Sequence, residues 1–353
     1  MTRSFSYAGS PARIVFGEGA RGQVAEWIRK AGCKRALVLS TPQQKADAEA
    51  LAGEIGDLAC GIFSGATMHT PVDVTKAATK VVAETGADCV VSLGGGSTTG
   101  LGKAIAYRTD LPQIVVPTTY AGSEVTSILG QTEAGRKTTV RDAKILPEIV
   151  IYDPALTFGL PVSMSVTSGL NAMAHAVEGL YAQDRNPIST LMALEGISAF
   201  ARSLPKIVAS PRDAEARSDA LYGAWLCGTV LGTVGMALHH KICHTLGGSF
   251  DTPHAETHAV MLPHTAAFNA AAAAPELAAA AEIFGSSIGG GLWDFAKGIG
   301  APLSLKDFGL GEADLDRAAS IAIENPYWNP RPIDKASIRA LLQDAWEGRR
   351  PTD

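Results

Sequence analysis

Between residues 35 and 117, short apolar runs alternate with helix-like segments, and that alternation restricts the chain to few folds. The runs cover 35–40, 58–63, 89–93 and 113–117, with a further one at 148–153. They are apolar at successive positions, the pattern of a parallel strand covered on both faces. Segments 24–31, 43–55, 72–85 and 99–107 read as the intervening helices, so the pattern predicts a parallel sheet flanked by helices. Residues 5–19 read as two short strands joined by a Gly-Ser-Pro turn, and 128–140 as a polar hairpin insertion. After Pro154 the strand signal stops. Helices are expected at 165–182, 190–203, 213–238, 255–270, 275–284 and 336–346. The fold class expected is therefore α/β plus all-α, with a Rossmann-like domain at 1–157 and a helical domain at 158–353.

A chain of 353 residues suits two cores better than one. A formal charge of −5 and the lack of any Lys/Arg run argue against a nucleic-acid partner. An anionic ligand would then need a locally positive pocket. Residues 1–5 carry no apolar run, so no signal peptide is expected and the location expected is cytoplasmic. Five cysteines without a CxxC pair read as reduced thiols. Residues 220–238 hold no charge but contain Gly223, Gly228, Gly232 and Gly235. That run reads as a buried helix, and no membrane is expected.

Of eight histidines, five fall between His239 and His258. His240 and His244 are four apart and share a helix face. Gly247-Gly248 reads as the end of that helix, and Thr252-Pro253 as the cap and first turn of the next, which carries His254 and His258. Imidazoles at turn spacing around one corner suit a metal site, a proton-donor cluster, or both. Upstream, Asn171 and His175 lie one turn apart. An amide at 171 leaves a divalent ion bound by Asn171, His175, His240 and His254 without a charge-balancing carboxylate.

In the α/β half, Gly94, Gly95, Gly96, Ser97 and Thr98 follow an apolar strand and open a helix. Such a turn lets backbone approach a pyrophosphate and offers free N–H groups. Thr118 and Thr119 end the next strand, and ligands of parallel sheets gather at the carboxyl ends of strands. After the first apolar run stand Ser40 and Thr41, both neutral, where an acidic residue would exclude a 2′-phosphate. Weak discrimination between NADH and NADPH follows.

The motifs GGGSTTGLGK (94–103), PTTYAGSE (117–124), SVTSGLNAMAHAVE (165–178), HHKICHTLGGSFDTPHAETHAV (239–260) and NPYWNPRPI (325–333) together resemble the maleylacetate reductase family. That family is a branch of the iron-containing alcohol dehydrogenase superfamily, related in fold to dehydroquinate synthase. The resemblance spans nearly the whole chain. It implies reduction of the C=C bond of maleylacetate to 3-oxoadipate by NADH or NADPH in the degradation of aromatic compounds, and a homodimer.

Metal-dependent relatives hold iron or zinc through one Asp and three His, at the positions of Asn171, His175, His240 and His254. Asn171 departs from that set. Gly100 also stands where those relatives have an Asp, and PTTYAGSE is one residue shorter than their motif. The resemblance to this branch implies that no metal is required. Hydride addition leaves an enolate, whose oxygen needs a donor. The resemblance places His175, His240 and His254 on that oxygen and His244 by the nicotinamide as proton relay. Asn171, Lys241 and Arg331 are candidates for the two substrate carboxylates. Residues 68–71 are expected by the nicotinamide, and Lys137 at the cofactor ribose. Competing readings are a metal-dependent alcohol or aldehyde dehydrogenase of the superfamily, a lyase of the dehydroquinate synthase kind, and an NADH-sensing module.

Overall fold

The computed structural model describes residues 5–10, 12–134, 136–285, 287–325 and 327–353. The chain divides into two compact units, residues 9–160 and residues 161–353, the latter joined by the N-terminal segment. The division falls three residues beyond the expected 157/158. A 3-10 turn at Pro154–Thr157 prolongs the first unit, and Leu160 N still donates to Thr157 O. Residues 5–8 group with the helical unit, a second departure from the expected domains.

In the first unit six parallel strands stand in the order β1-β8-β5-β4-β2-β3. They are β1 (Arg13–Phe16), β2 (Ala36–Leu39), β3 (Ala59–Phe63), β4 (Cys89–Gly94), β5 (Gln113–Pro117) and β8 (Ile149–Tyr152). Strands β2, β4, β5 and β8 are buried at every position, which is why they read as continuous apolar runs. Helices α1 (Val24–Lys30), α2 (Lys45–Ile55), α3 (Val72–Thr85) and α4 (Gly96–Thr109) connect them. The expected insertion is the antiparallel pair β6 (Ile128–Glu133) and β7 (Arg136–Arg141). The expected N-terminal hairpin does not form. Among the described residues of 5–19 only β1 is a strand, and it pairs in parallel with β8, because the chain returns to that edge 136 residues later (Arg13 opposite Ile149) rather than through a turn.

Lys103 on α4 is fully buried and ties the insertion down. Its ammonium donates to Ser123 O, to Thr126 Oγ1 at 2.9 Å and to Ile128 O at 3.0 Å. Burial pushes Lys103 down to about 7, opposed by the charge of Glu124. Glu124 is itself pushed up by burial and accepts from Tyr152 Oη at 2.9 Å.

The second unit is all helical: α5 (Val162–Leu180), α6 (Pro187–Ala209), α7 (Ala214–Thr233), α8 (Leu238–Ser249), α9 (His254–Ala270), α10 (Ala274–Ile283), α11 (Ile288–Gly298), α12 (Asp314–Ile323) and α13 (Lys335–Glu347). From Ser165 to Leu180 every residue of α5 is buried, and α6, α7 and α9 surround it. The single helix expected over 213–238 is two: α7 ends at Thr233, and α8 leaves at 97° to it. Apolar composition marks burial throughout that run but does not reveal a corner. Gly247 and Gly248 stay inside α8, and Thr252 does not cap α9; its hydroxyl meets Thr257 Oγ1 at 2.9 Å. Among the described residues no single helix is long and apolar enough to cross a membrane, although the bent α7–α8 pair passes on length and composition.

Candidate active site

The corner between α7 and α8 is held by Glu178. This carboxylate, buried on α5 one turn beyond His175, accepts the backbone N–H of His239 at 2.7 Å and that of His240 at 3.3 Å. It thereby satisfies donors in the first turn of α8, which no side chain of its own caps. The same carboxylate takes Nδ1–H of His240 in a very short hydrogen bond. A carboxylate only accepts, so His240 carries its proton on Nδ1 and turns the Nε2 lone pair outward. That lone pair meets His175 Nδ1 at 2.8 Å, so His175 donates. The chain Glu178–His240–His175 is thus ordered by one buried charge.

A second chain runs alongside it. The Thr265 hydroxyl gives its proton to Met261 O at 2.9 Å, a carbonyl that only accepts. It must therefore accept from His239 Nδ1 at 2.8 Å. His239 Nε2 is then a lone pair, taking the Nδ1–H of His258 at 2.9 Å. Burial, then the neighbouring imidazoles, push His239 and His258 well below the ordinary histidine range. His258 Nε2 is buried without a partner among the described residues. Its ring lies 4.6 Å from that of His254, 5.2 Å from His240 and 6.1 Å from His175.

The four histidines expected at this corner, His175, His240, His244 and His254, all belong to this unit. His175 and His240 are buried, His254 is half-buried, and His244 is exposed with its ring 6.1 Å from that of His240. Asn171 is buried, and its Oδ1 has no partner among the described residues. Lys241 is half-buried, with Nζ 5.8 Å from the ring of Tyr327. Arg331 is used differently: it lies 4.0 Å over the Phe268 ring and donates to Phe268 O at 3.2 Å, fastening the 327–333 stretch to α9. Glu178 was missed, and His239 and His258, counted in the expected cluster, were given no role of their own. His175-x-x-Glu178 on one helix face was the available signal for the first. Half-buried Tyr327 adds a phenol whose buried Oη has no partner among the described residues; burial, then Glu178, push it up, so it stays a donor.

In the α/β unit, Gly94 pairs with Pro117 across β4 and β5, which makes the two loops neighbours. Thr118 N donates to Gly94 O at 3.1 Å, and Gln44 Nε2 to Thr118 Oγ1 at 3.1 Å. Helix α4 begins at Gly96 with no side-chain cap, leaving its first turn open to an anion. Added to Gly95, a Cβ would come within 2.7 Å of Thr119 Cγ2, so only glycine allows this approach. Thr98 Oγ1 is buried without a partner among the described residues. Thr41 follows β2, next to β4 in the sheet, and Ser97 lies in the first turn of α4. Residue 137 falls on β7; the Lys137 side chain lies outside the described residues.

Residues 11–154 match the iron-containing alcohol dehydrogenase family, and residues 165–346 match its C-terminal region. The chain belongs to the iron-containing alcohol dehydrogenase family. Within it, the chain is 65% identical over 347 residues to the maleylacetate reductase of Rhizobium sp. (strain MTP-10005), covering 98% of this chain and 99% of the relative. It is 53% identical to the maleylacetate reductase of Burkholderia cepacia, covering 99% of each. The crystal structure of maleylacetate reductase from Agrobacterium tumefaciens superposes with a TM-score of 0.97 at 64% identity, over 99% of this chain and 100% of that one.

The family name implies a metal, which the resemblance read from the sequence would put at Asn171, His175, His240 and His254. As folded, that donor set does not fit a divalent ion. Asn171 contributes an uncharged amide, so a divalent ion held there would lack a charge-balancing carboxylate among its ligands.

Proposed function

We infer that this chain reduces the C=C bond of maleylacetate to 3-oxoadipate at the expense of a nicotinamide dinucleotide, in the breakdown of aromatic compounds. The observation that carries this reading is the near-complete span of its 65% identity to a maleylacetate reductase. The chemistry fits the residues. Hydride delivered to the carbon β to the ketone leaves negative charge on the ketone oxygen, which needs donors already in place. We assign that oxygen to His175 and His254; His240, expected there as well, has both nitrogens engaged by Glu178 and His175 and acts by positioning His175. Glu178 offsets the positive charge that gathers on the imidazoles as they hold it, the division of labour in carboxylate–imidazole pairs elsewhere. Tyr327 offers another donor, and exposed His244 a route for the proton that ends on the carbon α to the ketone. Lys241 and Asn171 are the candidates for the substrate carboxylates. Arg331 is already engaged with Phe268.

For the cofactor we propose NADH, with NADPH also accepted. Its pyrophosphate would lie on the 94–98 turn, and neutral Ser40 and Thr41 stand where a 2′-phosphate would be excluded. We further propose a cytoplasmic homodimer with no nucleic-acid or membrane partner and no required metal. NADH oxidation with freshly prepared maleylacetate, on chelator-stripped protein assayed for metal, tests the reading. Full turnover without metal is expected. Activity that disappears and returns with iron or zinc would overturn the metal-free assignment, and turnover of simple aldehydes alone would overturn the substrate.

A further inference from the structure

We propose that His239, Cys243 and His258 form a binding site for zinc or a similar soft divalent cation, separate from the family's metal positions, and that filling it inhibits the reductase. The proposal goes beyond the reduction reaction, though its inhibition readout uses that activity.

Three buried side chains converge here. His239 and Cys243 are one turn apart on α8, and His258 comes from α9. His239 Nε2 lies 2.9 Å from His258 Nδ1 and 3.7 Å from Cys243 Sγ. A tetrahedral zinc with ordinary bond lengths holds two nitrogens roughly 3.3 Å apart, and a nitrogen and a sulfur roughly 3.6 Å apart. Two edges of the triangle therefore stand within a few tenths of an ångström of zinc geometry, and all three donor atoms lie within 4.8 Å of one another.

The hydrogen-bond pattern around them also suits a ligand set. A ligating imidazole needs its other nitrogen held by an acceptor, and His239 Nδ1–H already donates to Thr265 Oγ1 at 2.8 Å. Its Nε2 carries the lone pair that now accepts from His258 Nδ1 at 2.9 Å, and that lone pair is freed for an ion when the His258 proton leaves Nδ1. His258 offers Nδ1 once its proton moves to Nε2, the buried nitrogen that has no partner to lose. The Cys243 thiol is pushed up by burial, so it binds the ion only by losing its proton. One proton leaves per ion bound, and affinity rises with pH.

The ring of His239 is 5.3 Å from that of His240, and the ring of His258 is 4.6 Å from that of His254. An ion that pins His239 and His258 fixes the side chains against which His240 and His254 must adjust when substrate binds. Inhibition follows without any contact between ion and substrate.

The test titrates the reduced, full-length protein with Co2+ and follows the near-ultraviolet absorption of a thiolate–cobalt bond; zinc is then tested as an inhibitor of NADH oxidation. Wild-type protein should develop the band, displace it with zinc, and lose activity in step. C243S and C243A should keep basal turnover and lose both band and zinc inhibition. No band in the wild type overturns the proposal. So does a band persisting in C243S, which would belong to another thiol such as Cys33 or Cys89. Zinc inhibition unchanged in C243S would move the inhibitory ion to other ligands, and overturns the proposal as well. The cobalt band needs no substrate, so failure of the site and failure of the substrate assignment are distinguishable.

Discussion

Replacing Glu178 with Gln tests whether a carboxylate, rather than a shape, organises the histidine corner. The substitution keeps the volume and exchanges one acceptor oxygen for an NH2 group. Glu178 satisfies three donors: His239 N–H through Oε1, and His240 N–H and Nδ1–H through Oε2. With the amide oxygen on His239, the NH2 faces two donors. His240 can respond by moving its proton to Nε2, letting Nδ1 accept from the amide, but its backbone N–H then has no acceptor. One buried donor without a partner costs roughly 1–3 kcal/mol, and conversion of charge-assisted bonds to neutral ones adds about 1 kcal/mol. A total loss of about 2–4 kcal/mol in the helical unit follows. The larger effect is on the reaction. The chain reverses, with His240 donating to His175, and nothing offsets positive charge on the pair. Loss of the orienting carboxylate from an imidazole costs on the order of 10⁴ in kcat in the serine-protease case, so a fall of roughly 10²–10⁴ is expected. Initial-rate NADH oxidation measures kcat, cofactor fluorescence checks that NADH binding survives, and ¹⁵N shifts of labelled histidine report which nitrogen of His240 is protonated. A kcat within a few-fold of the parent, with the His240 tautomer reversed, would refute the reasoning.

Three other outcomes are expected. Lys103 sits near 7 in the fold against an ordinary 10.5, so unfolding takes up a proton between those values and raising the pH disfavours unfolding. Parent protein should gain about 2 kcal/mol of α/β-unit stability between pH 7 and 9 from this group, and Lys103→Met should remove that rise in thermal melts across the range. A methyl group at Gly100 would run into Thr70 Oγ1, a side chain buried on a backbone with φ of 46°. Gly100→Ala should cost about 1–3 kcal/mol, and Thr70→Ala in the same chain should return most of it; additive losses in melting experiments would rule out that contact. At Gly95 a Cβ meets Thr119 at 2.7 Å, so Gly95→Ala should weaken NADH binding by at least about tenfold, roughly 1.4 kcal/mol, in fluorescence titrations with little change in melting. Equal NADH affinity in that variant would remove the phosphate role of the turn.

The α/β half was readable because parallel strands bury both faces and so write themselves as apolar runs. Helix α3 and strand β5 fall on their expected bounds for that reason. The failures lie where tertiary pairing, not local pattern, decides. Residues 5–10 form no strand, and β1 is recruited by β8. The α7–α8 corner depends on a carboxylate 61 residues upstream of His239. Helices α11 and α12 were missed. The first is built on Gly289, Gly290 and Gly291, which sequence reading treats as a break; their missing side chains let α11 lie against Ala267, Arg350 and the backbone of Phe284. At the site, the imidazoles were visible by spacing alone. Which nitrogen each one presents was not, because that is set by Glu178 and Thr265, each on the helix face opposite its histidine partner.

Those two anchors divide the cluster by charge. The chain that ends on Glu178 can carry an extra proton, because the carboxylate at its foot compensates it. The chain that ends on Thr265 cannot, because its foot is a hydroxyl whose own proton is given to a carbonyl, and a charge there would be buried unpaired. Positive charge in the corner is therefore confined to the His240–His175 side. An enolate oxygen, which needs donors, is drawn to that side and repelled by the bare Nε2 of His258. With Asn171 neutral and both nitrogens of His240 engaged, the metal-free reading proposed above draws the polarity that a cation would supply from a buried carboxylate acting through two imidazoles.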